Sequence, residues 1–198
     1  MKALLAYTVA LGVLLAAPAM AGWTEQPDAG DLPGTAQVPV GGGPLDFIAG
    51  TMPANDVDMF CIRVDNPTTF SANVCDAGAT WDTQLFLFAE DGRGVIWDDD
   101  TCAVGLQSQI GNFASCTINT PGQYLIAISK YNRDPRGAGN EIIFPGTTGC
   151  VTVATPIASW TGTTTAGGDY RITFTSVSYC GATAVEPTTW GSIKNIYK

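Results

Sequence analysis

Apolar residues along this chain come in short runs of two kinds. In Gln123–Tyr131, Tyr124, Ile126 and Ile128 alternate with Leu125 and Ala127, the two-residue period of a strand with distinct faces. Thr83–Phe88 holds a continuous block, Leu85-Phe86-Leu87-Phe88, which predicts a strand covered on both sides at the centre of a layered fold. Val57–Val64 predicts a third strand, with Phe60 and Ile62 on one face, and Thr69–Cys75 is expected to pair back onto it. Shorter strands are predicted over Leu45–Gly50, Val95–Trp97, Ser108–Phe113, Ser115–Ile118, Val151–Val153, Ile157–Trp160 and Tyr170–Val177.

Turn chemistry separates these runs. Met52-Pro53-Ala54-Asn55-Asp56 reads as a turn, and Asp91-Gly92 within Glu90–Gly94 is a hairpin signal. Thr120-Pro121-Gly122 places Pro and Gly as a type II bend requires. Residues 132–149, Gly-rich and charged, are expected to form a long exposed loop, and the Thr/Gly stretch 161–168 a flexible connection. No helical period is sustained before the C-terminal tail, and no internal repeat is present. Many short strands between turn signals indicate an all-β sandwich or barrel.

The first residues change the picture of where this fold works. Lys2 precedes the apolar run Ala3–Ala17, which is roughly 15 residues, short of the ~20 a membrane span needs. Pro18 ends the run, and Ala19-Met20-Ala21 is a small-x-small cleavage pattern, so residues 1–21 are expected to be a signal peptide cut before Gly22. The expected organisation is then an extended N-terminal segment, 22–43, with Pro27, Pro33, Pro39 and Gly41–Gly43, lying over the fold. A single sandwich domain over 44–181 and a linker with a short tail over 182–198 complete it. No later segment is apolar and long enough to span a membrane.

Loss of Lys2 leaves eight basic residues against 18 acids, a net charge of −10. So acidic a surface argues against nucleic acid and anionic lipid, both of which need neutralising cations. It suits solubility and, where carboxylates converge, divalent cations. Six cysteines, Cys61, Cys75, Cys102, Cys116, Cys150 and Cys180, in an exported chain imply three disulfides. Without a histidine or a Cys-x-x-Cys pair, zinc is disfavoured. Six cysteines admit many pairings; Cys61–Cys75, Cys102–Cys116 and Cys150–Cys180 each flank a turn signal and close a short loop, and that set is the expectation.

Several segments, in order, resemble the bacterial pre-peptidase C-terminal domain. They are Asn55-Asp56-Val57-Asp58-Met59-Phe60, Asp82-Thr83-Gln84-Leu85-Phe86-Leu87-Phe88, Asp91-Gly92, Asp98-Asp99-Asp100, and Thr120–Ile128. The resemblance implies a single jelly-roll-like antiparallel β-sandwich and a non-catalytic accessory role: binding an extracellular polymer or partner, or assisting secretion. It covers residues 45–131 and extends toward Val177. Only about twenty residues separate the signal peptide from the first strand, so a free-standing role is expected rather than that of an appendage to an enzyme. The six cysteines depart from the family pattern.

The acids supply the first candidate chemistry. Asp98, Asp99 and Asp100, with Asp91 and Asp82 nearby, form one candidate calcium site; Asp56 and Asp58 form a second. Calcium takes six to eight oxygens from carboxylates and carbonyls on loops. A solvated acidic turn accounts for the same residues, and in an extended segment Asp99 points away from Asp98 and Asp100. Neither group has the EF-hand spacing. Of five tryptophans, Trp81 and Trp97 adjoin these acids and, with Tyr131, are candidate ligand-stacking residues; burial in the core is the ordinary alternative. In the tail, Trp190, Ile193 and Tyr197 share one face of a short helix that Thr189 could cap, either packing on the sandwich or docking elsewhere.

Enzyme classes fall away in turn. The absence of histidine excludes Ser-His-Asp and Cys-His catalysis. No Gly-x-Ser-x-Gly, phosphate loop or dinucleotide fingerprint occurs, and no pair of acids stands out as a glycosidase couple. The expectation is a secreted or cell-surface, non-catalytic binding or adhesion module with calcium as its candidate ion, and an extracellular polymer or cell-envelope protein as partner. A structural or surface-assembly component is the alternative, and a small secreted hydrolase the third reading.

Overall fold

The computed structural model describes residues 20–75, 78–103, 105–151 and 155–181, and these contain strands but no helix. The strands are β1 (Gly22–Thr24), β2 (Phe47–Met52), β3 (Val57–Val64), β4 (Ser71–Asn73), β5 (Thr83–Ala89), β6 (Gly94–Asp98) and β7 (Gln109–Ile110). They continue with β8 (Gly122–Lys130), β9 (Asp134–Arg136), β10 (Thr148–Cys150), β11 (Ser159–Thr161), β12 (Gly168–Thr175) and β13 (Val177–Tyr179). One sheet runs β1-β2-β12-β4-β7, the other β10-β6-β5-β8-β3-β13, and β9 and β11 form a small ribbon. Pairing is antiparallel except between β1 and β2. The all-β sandwich expected from the sequence is what the chain forms.

Two apolar layers hold it. Between the sheets, Ile48, Met52, Ala72, Ile172 and Phe174 of the first meet Phe60, Ile62, Leu85, Leu87, Ile126 and Ile128 of the second. On the outer face of the six-stranded sheet, Met59, Phe86, Phe88, Trp97 and Ala127 are covered by Ile143, Phe144, Val151 and Ile157. The continuous apolar block of β5 follows from this double burial: Leu85 and Leu87 serve one layer, Phe86 and Phe88 the other. Phe86 stands opposite Trp97 in the ladder and stacks on it, ring centroids 5.5 Å apart. Each such side chain contributes roughly 1.5–3 kcal/mol by leaving water.

The outer layer corrects the reading of 132–149 as an exposed loop. That stretch contains β9 and the start of β10, and its Ile143 and Phe144 are buried cover for the sheet. Thr69–Cys75 does not pair with Val57–Val64: β4 lies in the opposite sheet, between β12 and β7. Ser115–Ile118 is not a strand, and residues 152 and 153 of the predicted Val151–Val153 lie outside the described residues. Tyr170–Val177, read as one strand, is two. Ser176 adopts φ 58°, and the chain crosses there from β12 in one sheet to β13 in the other.

The N-terminal segment does not merely lie over the fold. β1 extends the first sheet beside β2, and farther along the segment pairs with β3 of the second. Met59 N–H donates to the Gly30 carbonyl at 3.1 Å, Gln37 N–H to the Met59 carbonyl at 2.8 Å, and Cys61 N–H to the Gln37 carbonyl at 2.8 Å. β13 covers only the far end of β3, so these bonds satisfy a backbone edge that would otherwise be bare. One stretch of chain thus closes an open side of the sandwich. Residues 1–19 of the expected signal peptide 1–21, and the tail 182–198, lie outside the described residues.

Three disulfides form, but in none of the expected pairs: they are Cys61–Cys180, Cys75–Cys102 and Cys116–Cys150. Loop length was the wrong criterion, because antiparallel neighbours here are remote in sequence. Ile62 pairs with Tyr179, so one step along the ladder sets Cys61 opposite Cys180, with Cα atoms 5.5 Å apart. Cys61–Cys75 is ruled out by the placement of β4 in the other sheet. Cys75 instead meets Cys102 where the chains leading out of β4 and into β7 converge, Cα–Cα 5.4 Å. Cys116, in the loop after β7, meets Cys150 at the end of β10 at 5.3 Å. Three bridges fit an oxidising environment outside the cytoplasm.

Candidate metal centres

Two groups of carboxylates converge, each at a place fixed by the strand ladders. The first joins Glu25 and Asp28 of the N-terminal segment to Asp58 of β3, with one carboxylate oxygen from each within 4.8 Å of the others. Asp58 shares the face of β3 that carries Phe60 and Ile62, so it points between the sheets, toward Tyr170 on β12. It is fully buried, and neither of its oxygens has a hydrogen-bond partner. The Tyr170 hydroxyl and Asp56 Oδ2 are also buried without partners.

Glu25 is held in place from both sides. Its N–H donates to the Ala49 carbonyl at 2.9 Å. Its carboxylate accepts the Ala29 N–H at 2.6 Å and the Thr51 N–H at 3.3 Å. Gly50 stands opposite Tyr170 in the β2–β12 ladder, and a side chain there would collide with the Glu25 carboxylate and the Tyr170 hydroxyl.

Burial pushes the Asp58 carboxyl up to about 9; the nearby Tyr170 hydroxyl offsets this in part, and the charge of Glu25 adds to it. Asp56 is also raised, chiefly by desolvation. Burial, with Asp58 beside it, lifts the Tyr170 phenol above the ordinary tyrosine range. An ionised, unpaired carboxylate in such a place costs several kcal/mol. Either a proton or a cation has to offset that cost. Three carboxylates at this separation, with Asp56 and Tyr170 adjacent, make a hard, all-oxygen donor set that fits Ca²⁺.

The second group is Asp82, Asp99 and Asp100, again with oxygens within 4.8 Å of one another. Asp82 immediately precedes β5 and Asp99 immediately follows β6, and the antiparallel ladder between these strands brings the two ends together. The strict alternation expected of Asp98–Asp100 does not hold, because the strand ends at Asp98. Burial raises the Asp99 carboxyl to about 7, with Asp100, Asp82, Asp98 and Asp134 adding to the effect. Asp82 is raised for the same leading reason, then by Asp100, against the pull of Lys130.

Two of the candidate ligands serve elsewhere. Asp98 Oδ2 caps the loop after β6, accepting the Gln109 N–H at 2.7 Å and the Thr101 N–H at 3.2 Å and hydroxyl at 2.9 Å. Asp91 pairs with Arg93 at 2.8 Å in the hairpin turn. The three ion pairs among the described residues, Arg63–Asp65, Arg93–Asp91 and Arg136–Asp134, all lie outside both carboxylate groups.

Trp81 and Trp97, the candidate stacking residues, are buried in the core. Trp81 is 8% exposed and its indole N–H donates to the Asp169 carbonyl at 3.2 Å; Trp97 is 5% exposed beneath Phe86. Tyr131, by contrast, is 52% exposed. No protein-family model matches the chain, and no curated protein matches it.

Sequence reasoning missed Glu25, Asp28 and Tyr170. The first two lie in a segment read as peripheral, where Glu25, Asp28 and Asp31 recur every third residue. That spacing of acids beside a Pro was the available signal.

Proposed function

We propose that the chain is an exported, non-catalytic binding module of the pre-peptidase C-terminal type, whose N-terminal segment is fastened to the sandwich by Ca²⁺ held by Glu25, Asp28 and Asp58. The observation that carries the reading is Asp58: fully buried, unpartnered at both oxygens, and within reach of two further carboxylates from another part of the chain. The ion would neutralise these charges and tie the segment that covers the β3 edge. Its ligands come from residues far apart in sequence, so it would be bound by the folded state alone.

A binding role is supported by what the chemistry leaves over. The chain has no histidine, and its six cysteines are consumed by bridges. Exposed Tyr131, beside Lys130 and Arg133, offers an aromatic and cationic surface to an extracellular polymer.

Calorimetric unfolding in millimolar Ca²⁺ against chelator tests the clamp. Occupancy at a hundredfold excess over Kd adds about 2.7 kcal/mol, which for a chain of this size raises Tm by about 5–10 °C. Identical transitions would discard the clamp. Co-sedimentation with insoluble polysaccharides and collagen, run beside glycan hydrolysis assays, tests the binding role. Turnover without retention would replace it with the hydrolase reading.

A further inference from the structure

We infer that Asp82, Asp99 and Asp100 form a second Ca²⁺ site, independent of the one at Glu25, Asp28 and Asp58. Acidic residues in a turn are commonplace, and clustering alone would say little. Asp99 distinguishes this cluster: it is 95% buried by its 5% exposure, and its Oδ1 has no hydrogen-bond partner. Asp82 Oδ1 is likewise buried and unpartnered. A carboxylate whose purpose was solvation would sit in solvent.

Among the described residues no cation forms an ion pair with these three carboxylates. Lys130, next to Thr83 across the ladder, turns its ammonium to the Thr165 hydroxyl at 2.7 Å and the Ala166 carbonyl at 3.2 Å. Arg133 donates to the Gly162 carbonyl, and Arg136 faces Asp134. Among the described residues only the pull of Lys130 on Asp82 opposes the mutual repulsion of the three carboxylates.

Their spacing suits one ion. Oxygens no more than 4.8 Å apart share a central point that lies at most about 2.8 Å from each, so small side-chain adjustments reach the ~2.3–2.6 Å of a Ca²⁺–oxygen bond. The frame is also built. Asp99 N–H donates to the Thr147 carbonyl at 3.0 Å, and the Asp99 carbonyl accepts the Ser108 hydroxyl at 2.7 Å. The Asp82 carbonyl accepts the Tyr131 N–H at 3.1 Å. Asp100 is exposed, so water or an oxygen of a ligand completes the ion's shell from that side.

Stoichiometry decides the matter. Calcium titration by calorimetry on the full secreted chain, with Tb³⁺ luminescence sensitised by Trp81 as a second probe, is expected to give two ions in the wild type. Asp100→Asn, an exposed substitution that leaves the fold in place, and Asp99→Asn should each leave one; Asp58→Asn should remove the other. Two ions retained in Asp100→Asn would overturn the inference. A single wild-type ion lost in Asp58→Asn but kept in Asp100→Asn would overturn it while leaving the clamp standing. The reverse pattern would support it and overturn the clamp, and no ion at all would overturn both.

Discussion

Asp58 on β3 and Tyr170 on β12 confront each other from opposite sheets, both buried, with neither the carboxylate oxygens nor the hydroxyl hydrogen-bonded. Without a cation, this is a place where the fold tolerates charge poorly. Asp58→Asn removes the charge while keeping the shape. In chelator at pH 8 the variant should unfold at a temperature equal to or above that of the wild type. In millimolar Ca²⁺ the order should reverse, because only the wild type gains from an ion at Asp58. Thermal melts in both buffers check this; a variant less stable than wild type in chelator would contradict it.

The raised carboxyls also set a pH dependence. Asp58 and Asp99 hold protons in the folded state more tightly than in the unfolded chain, at about 9 and about 7 against 3.8. The folded state therefore binds more protons than the unfolded one as these groups titrate. In chelator their contribution to stability is full below about pH 4 and is lost as pH rises. Both groups lose it up to about pH 7, Asp58 alone from there to about pH 9, at no more than about 1.4 kcal/mol per unit for each group. The charges facing them are Glu25 and Asp56 at Asp58, and Asp82, Asp98, Asp100 and Asp134 at Asp99, with Lys130 acting on Asp82. With saturating Ca²⁺ the decline should flatten, and proton release should accompany binding at pH 6. Parallel pH profiles in Ca²⁺ and chelator would refute the linkage.

Gly50 is needed for space. Its backbone angle is ordinary, but any side chain would meet the Glu25 carboxylate and the Tyr170 hydroxyl. Gly50→Val should weaken Ca²⁺ stabilisation at least tenfold in apparent affinity. Gly111→Ala, with nothing within 4 Å of the added methyl, should leave it unchanged. Isothermal titration of the two variants measures the difference.

The bridges differ in reach. Cys61–Cys180 spans 119 residues and Cys75–Cys102 spans 27. On chain entropy alone the longer loop stabilises by about 4.9 kcal/mol and the shorter by about 3.6 kcal/mol. Replacing both members of each pair with Ala should therefore cost about 1 kcal/mol more for the first pair. Denaturant unfolding of the two double variants gives the comparison, and peptide mapping of the oxidised protein should recover the three pairs named above.

What the sequence made legible were features with a local cause. Alternation in Val57–Val64 and the double-sided block of β5 translate directly into strands, because burial acts on each residue where it stands. Asp56, Asp58, Asp82, Asp99 and Asp100 were visible as acids for the same reason. Partnership was not visible. Ser176 moves the chain from one sheet to the other with a single unusual φ, which no hydrophobic pattern encodes. Cys61 finds Cys180, and Asp58 finds Glu25, through ladders between remote segments. Trp81 and Trp97 were misplaced because an aromatic beside an acid looks the same whether the strand end is capped or open.

The Cys61–Cys180 bridge has a mechanical meaning. β13 is a three-residue strand at the sheet's rim, and the chain leaves it immediately after Cys180. Tension applied through the C-terminal end would, without a crosslink, strip that strand away one rung at a time. The sulfur bond diverts the pull to Cys61, in the middle of an eight-residue strand anchored along its length by β8. Load would then be borne by the hydrogen bonds along β3 together rather than by the three residues of β13.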